Sequence, residues 1–219
     1  MPLVKAAAPF TFKTQLSLVE TMGMRARDLT ELCRYFKVAP DTSIYYHTHH
    51  FLQRHQYLIP EPPNDFAYWV SNILGDDVLG ERLWSVDIVR FNSIHELRQT
   101  LVTILESYLA SAPRKIECQE GEEFHFMASR TFVLPTRYSA RNLKEFAEVL
   151  GKVSIQSIYF HVFDAKLRLK RDENDFSRWF RSLGKNELAD ASRRLDPYSH
   201  TLDGLRQELI TLVKKYDSH

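Results

Sequence analysis

Apolar residues recur along this chain with two spacings, first at every second position and then at every third or fourth. The alternation over residues 10–18 and 124–134 predicts a short β-strand at each place. A helical spacing follows each strand and predicts a helix behind it. The apolar residues of these two helices are Leu29, Leu32, Cys33 and Phe36 after the first strand and Leu143, Phe146, Ala147 and Leu150 after the second.

Polar residues and glycines mark the limits of further helices. Second helices are predicted to begin near residues 42–43 and 156–157. Asn64 and Asn174 are good N-caps for third helices, which Gly75 and Gly184 end. Fourth helices cover about 77–86 and 186–195. The fifth helices carry the longest apolar stripes, which are Ile94, Leu97, Leu101, Ile104 and Tyr108 and then Leu202, Leu205, Leu209, Leu212 and Tyr216.

The two halves of the chain also match residue by residue. Residues 12–52 align with residues 126–166 without a gap, at an offset of 114 that falls to 108 near the C-terminus. The clearest match sets Ser-Ile-Tyr-Tyr-His at 43–47 beside Ser-Ile-Tyr-Phe-His at 157–161. An ordered series of matches predicts a tandem duplication.

The fold predicted from this pattern is mainly α. It consists of two tandem helical copies of about 100 residues, related by pseudo-twofold symmetry and each opened by a short strand. The first copy spans residues 10–109 and the second 124–216, and residues 110–123 form a linker that contains Pro113 and Gly121. The two strands are candidates for pairing across the pseudo-twofold axis.

Composition places the chain among ordinary globular proteins. Its 219 residues are 44% hydrophobic and 26% charged, and the net charge of +1 argues against general binding to nucleic acid or membrane surfaces. No apolar run approaches the roughly 18 residues that span a bilayer, and residues 1–9 lack the pattern of a secretory signal. With two cysteines, neither a disulfide framework nor a cysteine zinc site is expected. A cytoplasmic location is the expectation.

Charge separates the two copies. Residues 12–109 hold 9 basic and 12 acidic side chains, whereas residues 126–216 hold 17 and 11. One interpretation is attraction between the halves or drift on a solvated surface. The other is an anionic partner on the second copy, either a phosphorylated metabolite or an acidic protein face. The contacts predicted for that partner are Lys166, Arg168, Lys170, Arg171 and Arg178.

Histidines concentrate on the second helix of the first copy. His47 and His50 are three residues apart and share a helical face, and His161 and Asp164 have the same spacing in the second copy. If these helices cross near the pseudo-twofold axis, the four side chains form a His/His/His/Asp site for zinc, iron or manganese. The alternative interpretations are core histidines bonded to a carbonyl or tyrosine, and a proton-transfer or ligand-binding role.

Other polar and aromatic residues favour structural roles. Cys33 lies on an apolar helical face and is predicted to be a buried small hydrophobe. Trp69 and Trp179 are predicted core anchors, with stacking on a sugar or base as the alternative. Asp65 and Asp175 each follow a capping asparagine and complement a helix dipole, against a shared metal or hydroxyl-binding role.

Two strings of sequence resemble an uncharacterised bacterial family, a domain of unknown function. They are Ser-Ile-Tyr-Tyr-His-Thr-His-His-Phe-Leu at 43–52 and Pro-Pro-Asn-Asp-Phe-Ala-Tyr-Trp-Val at 62–70. The second half shares the resemblance through residues 132–136 and 159–161. The resemblance implies a bacterial, cytoplasmic protein and brings neither an activity nor a catalytic residue.

Two function classes therefore lead. The first is a non-enzymatic binding or regulatory module for a protein partner or a small anionic ligand. The second is a metalloprotein that uses His47, His50, His161 and Asp164. A ligand sensor with its pocket between the halves is a third hypothesis.

Overall fold

Two long strands and two runs of helices make up the described part of the chain. The computed structural model describes residues 8–54, 64–111, 116–165, 167, 173–195 and 201–217. The first run comprises β1 (Phe10–Ala26), α1 (Leu29–Val38), α2 (Asp41–Arg54), α3 (Asp65–Asn72), α4 (Asp77–Trp84), a 3-10 turn (Ile88–Arg90) and α5 (Ile94–Ser111). The second comprises β2 (Phe124–Ala140), α6 (Leu143–Leu150), α7 (Ile155–Tyr159) with a π-helical turn (Phe160–Asp164), α8 (Asp175–Ser182), α9 (Asn186–Arg193) and α10 (Leu202–Asp217).

The strands correct the predicted fold class. β1 and β2 have 17 residues each and pair with one another in a two-stranded antiparallel sheet. The fold is therefore mixed α/β, and the prediction of a mainly α fold with a short strand opening each copy is wrong. The middle of each strand is largely exposed, with Leu18 and Phe132 about half accessible. The alternation of apolar residues breaks at Val19 and Glu20 in β1 and ends at Leu134 in β2, so the predicted strands stop short of the observed ends.

The described residues divide into two compact units. The N-helix unit contains residues 17–51, 64–111 and 116–130, and the C-helix unit contains residues 8–16, 52–54, 131–165, 167, 173–195 and 201–217. The C-helix unit therefore contains the beginning of β1, and the N-helix unit contains the beginning of β2. The division into copies at 10–109 and 124–216, joined by a linker at 110–123, stays a prediction, as does the duplication itself.

Phenylalanines at the start of β1 form the centre of the C-helix unit. Phe12 is fully buried, and its ring centroid lies 5.2 Å from that of Phe146 and 6.1 Å from that of Phe176. Phe10 packs edge-on against Trp179 at 5.7 Å. The indole Nε1–H of Trp179 donates to the carbonyl of Ala8 at 3.3 Å, so the tryptophan also holds the entry to the strand.

The N-helix unit repeats this arrangement with the start of β2. Phe124 lies 5.0 Å from Phe66 and 5.8 Å from Trp69, and Phe126 lies 6.3 Å from Phe36. The indole of Trp69 donates to the carbonyl of Glu122 at 2.7 Å. The structure confirms both tryptophans as buried anchors.

Side-chain caps explain where the helices begin. Asn64 accepts from the amide of Ala67 at 2.8 Å, and Asn174 accepts from the amide of Ser177 at 2.7 Å in a full capping box. Gly75 and Gly184 follow these helices with positive φ angles of 67° and 75°, the conformation that favours glycine. The predicted limits of α3 and α8 are thereby confirmed.

Candidate functional site

A buried histidine in each unit joins a strand to a helix. His161, on the π-helical turn, accepts a hydrogen bond at Nε2 from the backbone N–H of Lys13 at 2.8 Å. His47, on α2, accepts in the same way from the N–H of Met127 at 2.9 Å. A nitrogen that accepts from an amide carries no proton, so both rings have their proton on Nδ1.

The second nitrogen of each ring bonds to an aspartate at the start of the next helix. His161 Nδ1 lies 2.8 Å from Asp175 Oδ2, and His47 Nδ1 lies 2.8 Å from Asp65 Oδ2. Each histidine thus donates to a carboxylate on one side and accepts from a strand on the other. Sequence reasoning treated these aspartates as dipole partners and missed this pairing.

These bonds bear on the predicted metal ligands. Both ring nitrogens of His47 and of His161 are engaged, so neither ring presents a free lone pair to a metal. Among the described residues, no group of three or more histidine, cysteine, aspartate or glutamate side chains is arranged to hold a metal ion. Asp164 is half-buried at the end of the π-helical turn, and the side chain of His50 lies outside the described residues. The four-ligand metal site stays a prediction.

A third histidine, His49, is also buried. Thr48 Oγ1 donates to the carbonyl of Ile44 at 2.7 Å and lies 2.8 Å from His49 Nδ1, so Nδ1–H is the donor in that second contact. The ring stacks on Tyr45 with centroids 5.2 Å apart. Burial lowers the pKa of His49 from its ordinary 6.5 to about 4.

Stability should therefore fall in acid because of His49. Between pH 6.5 and about 4 the unfolded chain binds a proton at this residue that the folded chain does not. We expect this residue to contribute about 3 kcal/mol of folding free energy above pH 6.5 that is lost as the pH falls to about 4. His49→Phe, which copies Phe163 in the second run, should remove this component of a pH series of urea unfolding curves. An unchanged pH slope in the variant would refute it.

A cavity lies beside His161 within the C-helix unit. Its volume is about 370 Å³, and β1, the π-helical turn and α8 supply its described walls. Asp175, Arg178, Trp179 and Ser182 follow the i, i+3, i+4, i+7 spacing that forms one helical face. The other described lining residues are Phe10, Thr11, Lys13, Phe160 and His161.

Two cationic side chains line this cavity, Lys13 from β1 and Arg178 from α8. Both are exposed, and within the described ranges neither makes an ion pair with a carboxylate. Arg181, one turn further along α8, instead pairs with Glu173 and Asp190 at 3.3 and 2.7 Å. Within the described residues, neither the ammonium of Lys13 nor the guanidinium of Arg178 therefore stabilises the fold through an ion pair.

Of the predicted anion contacts, the structure places Arg178 in the cavity. Lys166, Arg168, Lys170 and Arg171 lie outside the described residues. Sequence reasoning missed Lys13, although the alignment at an offset of 114 sets it opposite Met127 and so carried a signal. Met127 is apolar where Lys13 is charged, so a strand residue that donates its N–H to a histidine need not be a lysine.

Comparison with known proteins places the chain in a family. The model of DUF5752, a family of unknown function, matches residues 7–214. This chain belongs to DUF5752. The resemblance to an uncharacterised family is thereby confirmed, whereas a bacterial origin stays a prediction.

One solved structure shares the DUF5752 fold seen here. OrfY from Thermoproteus tenax aligns with a TM-score of 0.82 and 29% sequence identity, over 98% of each chain. No curated protein matches the sequence. Neither the family description nor the name OrfY states an activity.

Among the described residues, no helix has the length and apolarity needed to cross a membrane.

Proposed function

We propose that this DUF5752 protein is a non-enzymatic module that binds a small anionic ligand in the cavity of the C-helix unit. The observation that carries the proposal is the presence of Lys13 and Arg178 together in the lining, without a described carboxylate paired to either. An anion bound in the cavity would gain electrostatic energy from both cations.

The equivalent places in the N-helix unit are uncharged. Met127 stands where Lys13 stands, because each donates its backbone N–H to the histidine of its unit. Tyr68 stands where Arg178 stands, three residues after the aspartate that bonds to that histidine. The same backbone arrangement therefore forms without either cation, which supports a role in binding over a role in folding.

The backbone of Lys13 is fixed on both sides. Its N–H donates to His161, and its carbonyl accepts from Ser157 Oγ at 2.7 Å. Ser43, the corresponding serine of the N-helix unit, has a buried hydroxyl with no hydrogen-bond partner among the described residues. A cation on a rigid backbone loses less entropy when a ligand binds, so these bonds favour affinity.

The π-helical turn is a second local difference between the units. Phe160 and His161 belong to the turn and line the cavity, whereas Tyr46 and His47 lie within the regular α2. Turns of this type occur frequently at functional sites.

The engaged nitrogens of His161 support binding over catalysis. A general base needs an available lone pair, and the Nε2 lone pair of His161 already accepts from the amide of Lys13. Asp175 in turn accepts from Nδ1. The pair acts as a brace that joins β1 to α8 beside the cavity.

Binding of simple anions tests the proposal. The probes are inorganic phosphate and succinate, titrated calorimetrically into the whole protein and into Lys13→Met, Arg178→Tyr and the double variant. These substitutions copy the residues of the N-helix unit. A charge-assisted hydrogen bond contributes about 1.5–3 kcal/mol, so each single variant should bind roughly 10- to 100-fold more weakly. We expect no measurable binding by the double variant.

Lys144→Met is the matched control. Lys144 is an exposed lysine of α6 in the same unit and does not line the cavity. The Lys144→Met variant loses one positive surface charge, as Lys13→Met does. Its affinity for phosphate and succinate should therefore stay within about twofold of that of the original protein if the effect is local. The proposal fails if neither probe binds, or if the double variant binds as tightly as the original protein.

A further inference from the structure

We infer that the ligand of this cavity is the monoester of phosphate with a small organic molecule, an inference that rests on the proposed function. The phosphoryl group contacts Lys13 and Arg178, and the organic part lies against the aromatic wall formed by Phe10, Phe160 and Trp179.

Charge distinguishes a phosphate monoester from a simple carboxylate. A phosphate monoester carries about −1.5 to −2 charges near neutral pH, whereas a carboxylate carries one. Two described cations line the cavity, and its one described carboxylate, that of Asp175, accepts from His161. Asp175 also occupies the first turn of α8, where the helix dipole offsets its negative charge. The cavity thus has an excess of positive charge suited to a dianion.

The hydrogen-bonding groups point to the same class. A phosphoryl group has three strong acceptor oxygens, more than the two coplanar oxygens of a carboxylate. Besides the ammonium of Lys13 and the guanidinium fork of Arg178, the hydroxyl of Thr11 lines the cavity, whereas that of Ser182 donates to the carbonyl of Trp179 at 2.6 Å. These donors come from two elements, β1 and α8, and so approach an anion from more than one direction. That arrangement fits a tetrahedral group better than a planar one.

The aromatic wall indicates that the ligand has an organic part in addition to the phosphate. Trp179 has its Nε1–H engaged with Ala8 and one ring face stacked on Phe146 at 5.1 Å, so it offers the cavity apolar surface. Phe10 and Phe160 add two more rings. At about 370 Å³ the cavity lies at the small end of ligand pockets. It therefore admits a compact organic group, which would cover the small part of these rings that is exposed, namely 8% of Phe10, 3% of Phe160 and 8% of Trp179.

Four probes of matched shape test the inference by calorimetry on the whole protein. Phenyl phosphate supplies both parts, inorganic phosphate supplies the anion, benzyl alcohol supplies the ring, and phenylacetate supplies the ring with a carboxylate. We expect phenyl phosphate to bind at least tenfold more tightly than each of the other three. We also expect Lys13→Met/Arg178→Tyr to lose that binding, with Lys144→Met as the unaffected control.

Two failures are distinguishable. If phenylacetate or inorganic phosphate binds as tightly as phenyl phosphate, and the double variant still loses that binding, the monoester inference is overturned and the proposed anion site stands. If no probe binds in a way that depends on Lys13 and Arg178, both the inference and the proposed function are overturned.

Discussion

Replacing Phe12 by alanine should lower the free energy of unfolding of the C-helix unit by about 3–5 kcal/mol, the range for removal of a buried phenylalanine ring. Phe12 is fully buried and packs against Phe10, Phe146, His161 and Phe176. Its loss leaves a cavity among rings that belong to different elements and cannot close readily. Urea unfolding followed by circular dichroism measures the loss.

Leu18→Ala is the control for strand composition. Leu18 lies on the same strand at 54% exposure, so its truncation should change the stability by less than about 0.5 kcal/mol. Equal losses in the two variants would contradict the packing described for β1.

Hydrogen exchange locates the effect of Phe12→Ala along the chain. Phe12 contacts α6 and α8, which follow it by more than 130 residues, so exchange should accelerate there. Phe126→Ala should accelerate exchange in α1 and α3 instead, because Phe126 contacts Phe36 and Phe66. A Phe12→Ala variant that loosened α1 and α3 while sparing α6 and α8 would refute the exchange of strands between the two runs of helices.

Replacing His161 by alanine should lower the free energy of unfolding by about 3–4 kcal/mol and weaken anion binding. It removes a hydrogen bond to a carboxylate, leaves the N–H of Lys13 without its acceptor and creates a cavity. Because that N–H helps to hold the strand from which Lys13 reaches the ligand, the loss of the brace should weaken binding as well as folding. Unfolding and phosphate titration are measured on the same samples.

Two conservative variants separate the roles of the ring nitrogens of His161. Gln places an acceptor near the position of Nε2, and Asn places a donor near that of Nδ1. His161→Gln should keep the bond from Lys13 and bind phosphate within about tenfold of the original protein. His161→Asn should keep the bond to Asp175, lose the acceptor for Lys13 and bind more weakly than His161→Gln. Equal affinities of these two variants would rule out positioning of Lys13 through its backbone.

Local features of the fold could be predicted from the sequence because short-range physics decides them. Asn64 and Asn174 cap their helices, Trp69 and Trp179 are buried, and Cys33 lies in the core, where burial raises the pKa of its thiol. Each of these follows from residue type and helical spacing within one turn or two.

Non-local packing could not be predicted in the same way. Phe12 and Phe126 alternate as strand residues should, but nothing in their spacing says which helices cover them. The helices that cover each strand come from a distant part of the sequence, so local spacing does not identify them. The full length of β1 and β2 was missed because the alternation of apolar residues breaks after Leu18 and ends at Leu134.

The candidate site was predictable only in part. Charge asymmetry pointed to Arg178, and the spacing of His161 suggested a functional role. The bond from Lys13 to His161 joins residues 148 positions apart, so the spacing that suggested a metal ligand could not show that a backbone amide occupies the nitrogen. Hydrogen-bond partners of a buried histidine are decided by tertiary packing, and the sequence gives no distance between β1 and α8.

We propose that Lys13 and Arg178 hold an anion in the cavity of the C-helix unit. The most direct measurement is anomalous diffraction from crystals of the whole protein soaked in tungstate, a heavy tetrahedral oxyanion that stands in for phosphate. We predict an anomalous peak inside the cavity within hydrogen-bonding distance of both side chains, and its absence from crystals of Lys13→Met/Arg178→Tyr. Tungstate bound only outside the cavity, or an equal peak in the double variant, would contradict the claim.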